Sequence, residues 1–343
     1  MHIIKQIPED FIVKEKISLN LMDRGAYSCF LLKKRNLSTH EAVEIVADRL
    51  NVQLKNISYC GNKDRKAVAE QYISILKCRK NFSQDFSNIT LEFIGFLKEP
   101  ISLGDNEGND FEIIVRNIDD ALISGKIGIQ APNYFDEQRF SDDNFEVGMA
   151  IIKKDFGKAV ELILKNDKNK KAGEKIRNIL ENQKNNFVEA LKSVPKKQRM
   201  IYIHSVQSYI FNELAAKLIL MKSEKFKKVK YSLGEFVFPE EKFENRKLPV
   251  AGFDELEIDA VDAGIESDLT ALLDKIGLQR NNFIIRQIPD LSAESGWRKM
   301  FVDAQIEISS GEDEINVGKK KCLLKFFLPK GSYATIIVKK MFS

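Results

Sequence analysis

The chain has 343 residues, of which 43% are hydrophobic and 30% charged, with a formal net charge of +4 at pH 7. That is enough apolar material for a sizeable core and enough length for two compact domains, so a disordered chain is excluded as the default, and the small positive excess announces no polyanionic partner by itself. Four cysteines (Cys29, Cys60, Cys78 and Cys322) without a C-x-x-C pair, and only His2, His40 and His204 beside them, argue against a zinc site and a disulfide framework and point to a reducing compartment.

Residues 1–15 mix Lys5, Glu9, Asp10 and Lys14 with apolar side chains, unlike a signal or transit peptide, and no run approaches the roughly 18 uncharged apolar residues of a membrane span. A soluble, cytoplasmic protein is the expectation. Residues 10–15 and 27–33 read as strands that would pair readily, the second bounded by Gly25 and the basic run Lys33-Lys34-Arg35. Ser38 and Glu41 have capping-box spacing ahead of Val43, Val46, Ala47 and Leu50, which fall on one face of an amphipathic helix. Residues 71–76 and 111–116 read as further strands, and Gly104 with residues 106–109 supplies turn chemistry before the latter. Strands mixed with a helix make this first part α+β.

Residues 145–200 change character, becoming Lys-rich and strand-poor, with Ala159, Leu162, Ile163, Ile176, Ile179 and Leu180 suggesting helices of a second domain. Residues 204–220 read as a strong helix, and 226–260 as an irregular sheet region broken by Pro239, Pro249 and Gly252. Residues 322–328 return to a near-continuous apolar strand closed by Pro329-Lys330-Gly331. This end resembles the first domain more than the middle, so the middle reads as an insertion in a domain built from both chain ends.

In Tyr59-Cys60-Gly61-Asn62-Lys63-Asp64-Arg65-Lys66-Ala67, one carboxylate sits between two cations, shortly after a glycine that permits a tight or left-handed turn. The flanking positive charge favours the ionised form of Asp64, which suits a nucleophile or general base better than a general acid. Taken alone, a Gly-x-Lys-Asp-Arg loop is more often a solvated turn than a catalytic one.

With its continuation Val68-Ala69-Glu70-Gln71-Tyr72, however, this stretch resembles the catalytic motif of the TruD family of tRNA pseudouridine synthases, whose nucleophile falls on Asp64. Lys5-Gln6-Ile7-Pro8-Glu9-Asp10-Phe11-Ile12-Val13, Gly108-Asn109-Asp110-Phe111, Pro132-Asn133-Tyr134-Phe135-Asp136-Glu137-Gln138-Arg139-Phe140 and Leu328-Pro329-Lys330-Gly331-Ser332-Tyr333-Ala334-Thr335 resemble the same family in the same order. Within the middle region, Ser205-Val206-Gln207-Ser208-Tyr209-Ile210-Phe211-Asn212 resembles a helix of the family's inserted domain. Ordered matches along the chain are far more specific than any one of them. Two departures stand out. The family often has glycine where this chain has Asp136, which would require a changed turn, and often glycine at Ser141.

The resemblance implies an α+β pseudouridine synthase catalytic domain with a central antiparallel mixed sheet, formed by residues 1–141 and 301–343, carrying an inserted α/β domain at 142–300. It implies a tRNA substrate, uridine 13 as the target, and Asp64 acting as a nucleophile or as a base that yields a glycal. No cofactor, metal or obligatory protein partner is implied. Phe111 would be the aromatic platform under the base, Asn109 would hydrogen-bond that base, and Phe11 and Tyr333 would also lie at the substrate. On periodicity alone Phe11 and Phe111 are core residues and Asn109 is a turn residue; the motif reverses those readings. Lys5 would be a cationic partner of the carboxylate, and Arg65 would face either the carboxylate or a phosphate. Lysine runs at 33–35, 168–175, 196–199, 225–230 and 319–321 are candidates for phosphate contacts. Two other classes compete: a non-catalytic RNA-binding protein on the same fold, and a metal-dependent nuclease using Glu9, Asp10 and Asp64.

Overall fold

The computed structural model describes residues 2–78, 83–120, 122–166, 170–256 and 263–343. Two compact units divide the chain: Met1–Ile129 with Asp303–Ala334, and Gln130–Val302 with Thr335–Ser343. The chain opens with β1 (Ile3–Ile4), β2 (Phe11–Lys16), β3 (Tyr27–Arg35), helix α1 (Thr39–Leu50), β4 (Ile57–Tyr59), β5 (Val68–Leu76), β6 (Gln84–Phe86), β7 (Ile89–Leu97), β8 (Gly108–Ile118) and β9 (Gly125–Pro132). Helices α2 (Asn144–Ile152), α3 (Phe156–Lys165), α4 (Lys170–Asn182), α5 (Phe187–Lys192) and α6 (Lys196–Lys222) follow. Strands β10 (Phe226–Tyr231), β11 (Gly234–Pro239) and β12 (Lys247–Val250), helix α7 (Ala263–Lys275) and β13 (Gly296–Lys299) complete the middle of the chain. Strands β14 (Phe301–Glu312) and β15 (Lys320–Pro329) return it to the first unit, and α8 (Ala334–Phe342) ends it.

The large sheet runs in the order β6-β7-β3-β5-β2-β8-β15-β14-β9, with β1 beside β8 and β4 beside β5. Strands β2 and β5 are parallel, Ile12 opposing Val68, whereas β2–β8, β3–β5, β3–β7, β8–β15 and β14–β15 are antiparallel. The two strands expected to pair directly, β2 and β3, are separated by β5. A parallel pair needs a long crossover, and β3, α1 and β4 supply it between β2 and β5. β8 begins earlier than expected, at Gly108, so Asn109 is a strand residue paired with Glu15 and Leu328 rather than a turn residue.

Helix α1 starts where its capping box predicts. The Ser38 hydroxyl accepts from the Glu41 amide at 3.2 Å while the Glu41 carboxylate accepts from the Ser38 amide at 2.8 Å. Its apolar face, with Ala42, Val43, Val46, Ala47 and Leu50, packs on Phe30, Leu32, Ile73 and Ile75 of the sheet. This burial is the main stabilisation of that corner, since an isolated helix of three turns is marginal.

In the second unit α6 is the central element, and its buried polar residues organise the loops around it. The Asn212 amide bonds both the amide and the carbonyl of Phe135, at 2.9 and 2.8 Å, and Gln207 donates to the Ala251 carbonyl at 2.6 Å. The Tyr134 hydroxyl donates to the Val237 carbonyl at 3.0 Å, and Arg298 lies 4.0 Å over the Phe135 ring. These bonds explain why residues 130–141 group with the second unit. Gly148 of α2 meets the Tyr202 carbonyl so closely that no Cβ would fit. At Asp136 the backbone is ordinary (φ −88, ψ 170), and the carboxylate caps the Glu137 amide at 2.8 Å and pairs with Lys339. This turn needs no glycine, because Asp136 holds it in extended backbone through its own side chain. Residues 257–260, within the expected sheet region, lie outside the described residues.

Candidate active site

Strand alternation decides which side chains meet. On β2 the buried positions are Phe11, Val13 and Glu15, and the registers Val13–Phe111, Glu15–Asn109, Phe111–Phe326 and Asn109–Leu328 place all of these on one face. From Phe11 to Glu15 that face extends about 13 Å along the strand. Phe11 meets Phe111 edge-on with ring centroids 6.0 Å apart, and Phe111 stacks on Phe326 at 5.6 Å. The opposite face is a charged ladder, Lys14–Glu112–Lys325, with separations of 2.6 and 3.6 Å. Gly108 is needed for close approach: a Cβ there would overlap the Leu328 carbonyl and the Phe327 ring.

Asp64 reaches the inner face on the loop between β4 and β5, and that loop is pinned along its length. Gly104 donates its amide to the Cys60 carbonyl at 3.0 Å, Gln71 donates to the Gly61 carbonyl at 3.3 Å, and the Asn36 amide donates to the Ala67 carbonyl at 3.1 Å. The Lys63 amide donates to the Thr39 hydroxyl at 2.8 Å, which in turn donates to Gln71 at 2.8 Å. Beneath them lies Lys34, 1% exposed, whose ammonium donates to the carbonyl of Asp64 at 2.7 Å and to that of Leu37 at 2.5 Å. Burial pushes the Lys34 ammonium down to about 8, against the charge of Asp64, which raises it.

The Asp64 carboxylate forms an ion pair with Lys5, with 27% and 21% of the two side chains exposed, and the Lys5 ammonium sits 4.0 Å from the centroid of the Phe11 ring. Lys5 adopts a left-handed backbone (φ 57) and is followed by a firmly held segment. The Ile7 amide donates to Asp10 at 3.0 Å, and Asn316 donates to Gln6 at 2.9 Å. Asp10 is buried against Arg116 at 2.8 Å, and Arg116 reaches Asp313 at 2.8 Å and Glu314 at 3.0 Å.

The ion pairs of Asp64's two neighbours go elsewhere. Lys63 donates to Glu15 at 2.6 Å and to the Asn109 side-chain oxygen at 2.8 Å. Arg65 turns to Glu41 of α1 at 3.2 Å with two thirds of its side chain exposed. Tyr333 is half-buried in the turn between β15 and α8, just after Gly331 (φ 81) and beyond the strand that pairs with Asn109. Direct contact thus links Asp64, Lys5, Phe11 and Phe111, and a separate set of contacts joins Lys63, Glu15 and Asn109 on the same face. Tyr333 shares the Asn109 end of the sheet, and Arg65 leaves the group.

Thr39 escaped the sequence reading, and Lys34, Lys63, Glu15 and Gln71 entered it only as members of a lysine run, a motif or a strand. Glu15 carried a signal: it continues the alternation of Phe11 and Val13 into the buried face. In the run 33–35 Lys34 is buried, while Lys33 pairs with Glu70 at 3.6 Å and exposed Arg35 with Glu9 at 2.5 Å. Lys319, Lys320 and Lys321 pair with Asp119, Glu312 and Glu314, and Arg199 with Asp290 at 3.1 Å. Lys168 lies outside the described residues, whereas Lys225, Lys227 and Lys230 are exposed. Glu9, Asp10 and Asp64 each pair with a different cation, so the arrangement a metal nuclease needs is not assembled. All four cysteines are free and buried, and burial pushes the Cys29 and Cys60 thiols up to about 12. No described helix is long and apolar enough to cross a membrane.

A mixed α/β chain built on this large sheet has the pseudouridine synthase fold. The likeness is direct: the crystal structure of the tRNA pseudouridine synthase D (TruD) candidate from Methanosarcina mazei matches with a TM-score of 0.66 at 25% identity, covering 98% of this chain and 92% of that one. The family profile of tRNA pseudouridine synthase D matches residues 2–184, 174–267 and 248–341. Among relatives, the probable tRNA pseudouridine synthase D of Nanoarchaeum equitans is 31% identical over 99% of this chain and 98% of its own length. The tRNA pseudouridine synthase D of Aquifex aeolicus is 29% identical over 99% and 97%. The chain belongs to the tRNA pseudouridine synthase D (TruD) family.

Proposed function

We propose that this chain converts uridine to pseudouridine in tRNA, at position 13, with Asp64 as the catalytic carboxylate, the first unit as catalytic domain and the second as an inserted domain that helps hold the RNA. The observation that carries the reading is the Asp64–Lys5 ion pair against the Phe11 ring, on the face shared by Phe111 and Asn109, in a chain of this family.

The isomerisation breaks the bond between ribose C1′ and uracil N1, turns the base and closes a bond from C1′ to C5. A proton leaves C5 and N1 ends protonated, so the reaction calls on no redox partner. Asp64 acts either as nucleophile toward the sugar or base, or as the base that takes a sugar proton to give a glycal. Lys5 orients the carboxylate and offsets its charge. Phe11 and Phe111, only 4% and 7% exposed, form the floor under the detached base, and full stacking on either ring, which contributes about 1–3 kcal/mol, requires the side chains that cover it to move aside. Asn109 hydrogen-bonds the base, and Tyr333 supports the substrate from the turn after β15. Unstacking the uridine costs a few kcal/mol. Phosphate contacts offset that, and the exposed Lys225 and Lys230, with Lys196 and Lys197, are candidates to make them.

The test is pseudouridine mapping of unmodified tRNA transcripts incubated with the protein in EDTA. Pseudouridine at position 13 is expected. Its appearance elsewhere only would reject the position, and its absence across a broad RNA set would reject the enzyme in favour of an RNA-binding protein.

A further inference from the structure

Lys63 is buried with its partner: its side chain is 7% exposed and that of Glu15 0%. Its ammonium donates to Glu15 Oε1 at 2.6 Å and to Asn109 Oδ1 at 2.8 Å, while the other Glu15 oxygen accepts from the Tyr72 amide at 3.0 Å. Glu15 is thus fixed by the sheet, and Lys63 by Glu15. An ammonium has three donors and no acceptor, so only the carbonyl end of the Asn109 amide can face it. Chemistry therefore sets the orientation of Asn109: Oδ1 toward Lys63, the amino group away. Among the described residues that amino group has no hydrogen-bond partner, and it is not sealed from solvent. It presents N–H donors on the face that carries Phe11 and Phe111.

We infer that Lys63, held by Glu15, is a positioning residue that makes Asn109 a donor only, and that this selects uracil over cytosine at the O4 edge of the base. The inference rests on the uridine reading above. Uracil offers an O4 acceptor where cytosine offers an N4 amino donor, and two donors cannot pair. A donor covered by the bound base and left facing another donor loses its bond outright, a discrimination of about tenfold or more.

The probe is a pair of tRNA transcripts identical except for uridine or cytidine at the modified position. The readout is the ratio of the cytidine transcript's competitive Ki to the uridine transcript's KM, with thermal unfolding of each variant alongside. For wild type the ratio should be about ten or more. Lys63→Gln supplies an acceptor and lets the Asn109 amide turn over, so the ratio should fall toward unity, whereas donor-only Lys63→Arg should preserve it. Asn109→Asp keeps the pairing with Lys63 but presents an acceptor outward, so it should bind the cytidine transcript more tightly than wild type does. If Lys63→Gln fails to fold, Asn109→Asp decides. An unchanged ratio in both, or Lys63→Arg losing as much as Lys63→Gln, overturns the inference while pseudouridine formation by wild type keeps the enzyme reading intact. No pseudouridine from wild type sinks that reading and the inference with it.

Discussion

Replacing Arg116 by Met should destabilise the first unit severely and, in the fraction that remains folded, slow the reaction by loosening Lys5. Arg116 is 1% exposed, and its guanidinium bonds Asp10 and Asp313, whose side chains are fully buried. Methionine fills much of the volume but leaves two buried carboxylates without their cation, and breaking such a buried pair costs about 3–5 kcal/mol. At roughly 2–4 °C per kcal/mol for a domain of this size, Tm should fall by about 6–20 °C. The loss should also depend on pH. Burial by itself would raise the Asp313 carboxyl, but hydrogen bonds from Asn316, the Asn117 and Ile315 amides and Arg116 outweigh it and hold that group well below the ordinary carboxylate range. A depressed carboxyl contributes stability that is present above its unfolded value and is lost as pH falls toward the folded one, so the gap between wild type and variant should be widest near neutrality and narrow below about pH 4. Urea unfolding followed by circular dichroism across pH 3–8 measures this. A variant within about 1 kcal/mol of wild type at pH 7, or a gap indifferent to pH, would refute the reasoning.

Lys34→Met addresses the opposite sign. Burial lowers the Lys34 ammonium to about 8, so the folded state carries an unfavourable buried charge below that pH and gains stability as pH rises from there toward the unfolded value of 10.5. Wild type should gain on Lys34→Met between pH 8 and 10 in thermal unfolding; parallel curves would contradict the burial argument. Asp136→Gly introduces the residue that the family resemblance expects, yet it removes the cap on the Glu137 amide and the pairing with Lys339, so denaturant titration should show a loss of a few tenths of a kcal/mol from the cap, with the lost ion pair adding to it, rather than a gain. Changing Lys225 and Lys230 together to Ala should flatten the salt dependence of tRNA affinity by about 0.9 in log–log slope for each phosphate these lysines neutralise, and an unchanged slope would move the RNA path elsewhere.

Local signals were legible and long-range ones were not. The start of α1 could be read because Ser38 and Glu41 satisfy each other within one turn, and β15 because its apolar run is bounded by Pro329-Lys330-Gly331. β14 was passed over although Phe301, Val302, Ala304, Ile306 and Ile308 are its buried positions, while β9 shows no such alternation and is exposed over its first half. That β5 lies between β2 and β3 depends on a crossover whose outcome no short window contains. Within the candidate site, Asp64 was found through its motif, but the charges flanking it in sequence proved misleading. Successive side chains diverge, so Lys63 and Arg65 find Glu15 and Glu41, and the cation at Asp64 comes from Lys5, 59 positions away. Lys34 reads as surface charge within Lys33-Lys34-Arg35 because only the strand's facing tells it from its neighbours.

The most direct measurement follows the hydrogen at uracil C5, which must leave when C5 bonds to the ribose. With a tRNA transcript carrying tritium at the C5 position of its uridines, a single turnover by wild type should release tritium to solvent in proportion to the pseudouridine formed, and Asp64→Asn, folded to the same Tm within a few degrees, should release none. Release by Asp64→Asn at the wild-type rate would contradict the assignment of Asp64 as the catalytic carboxylate.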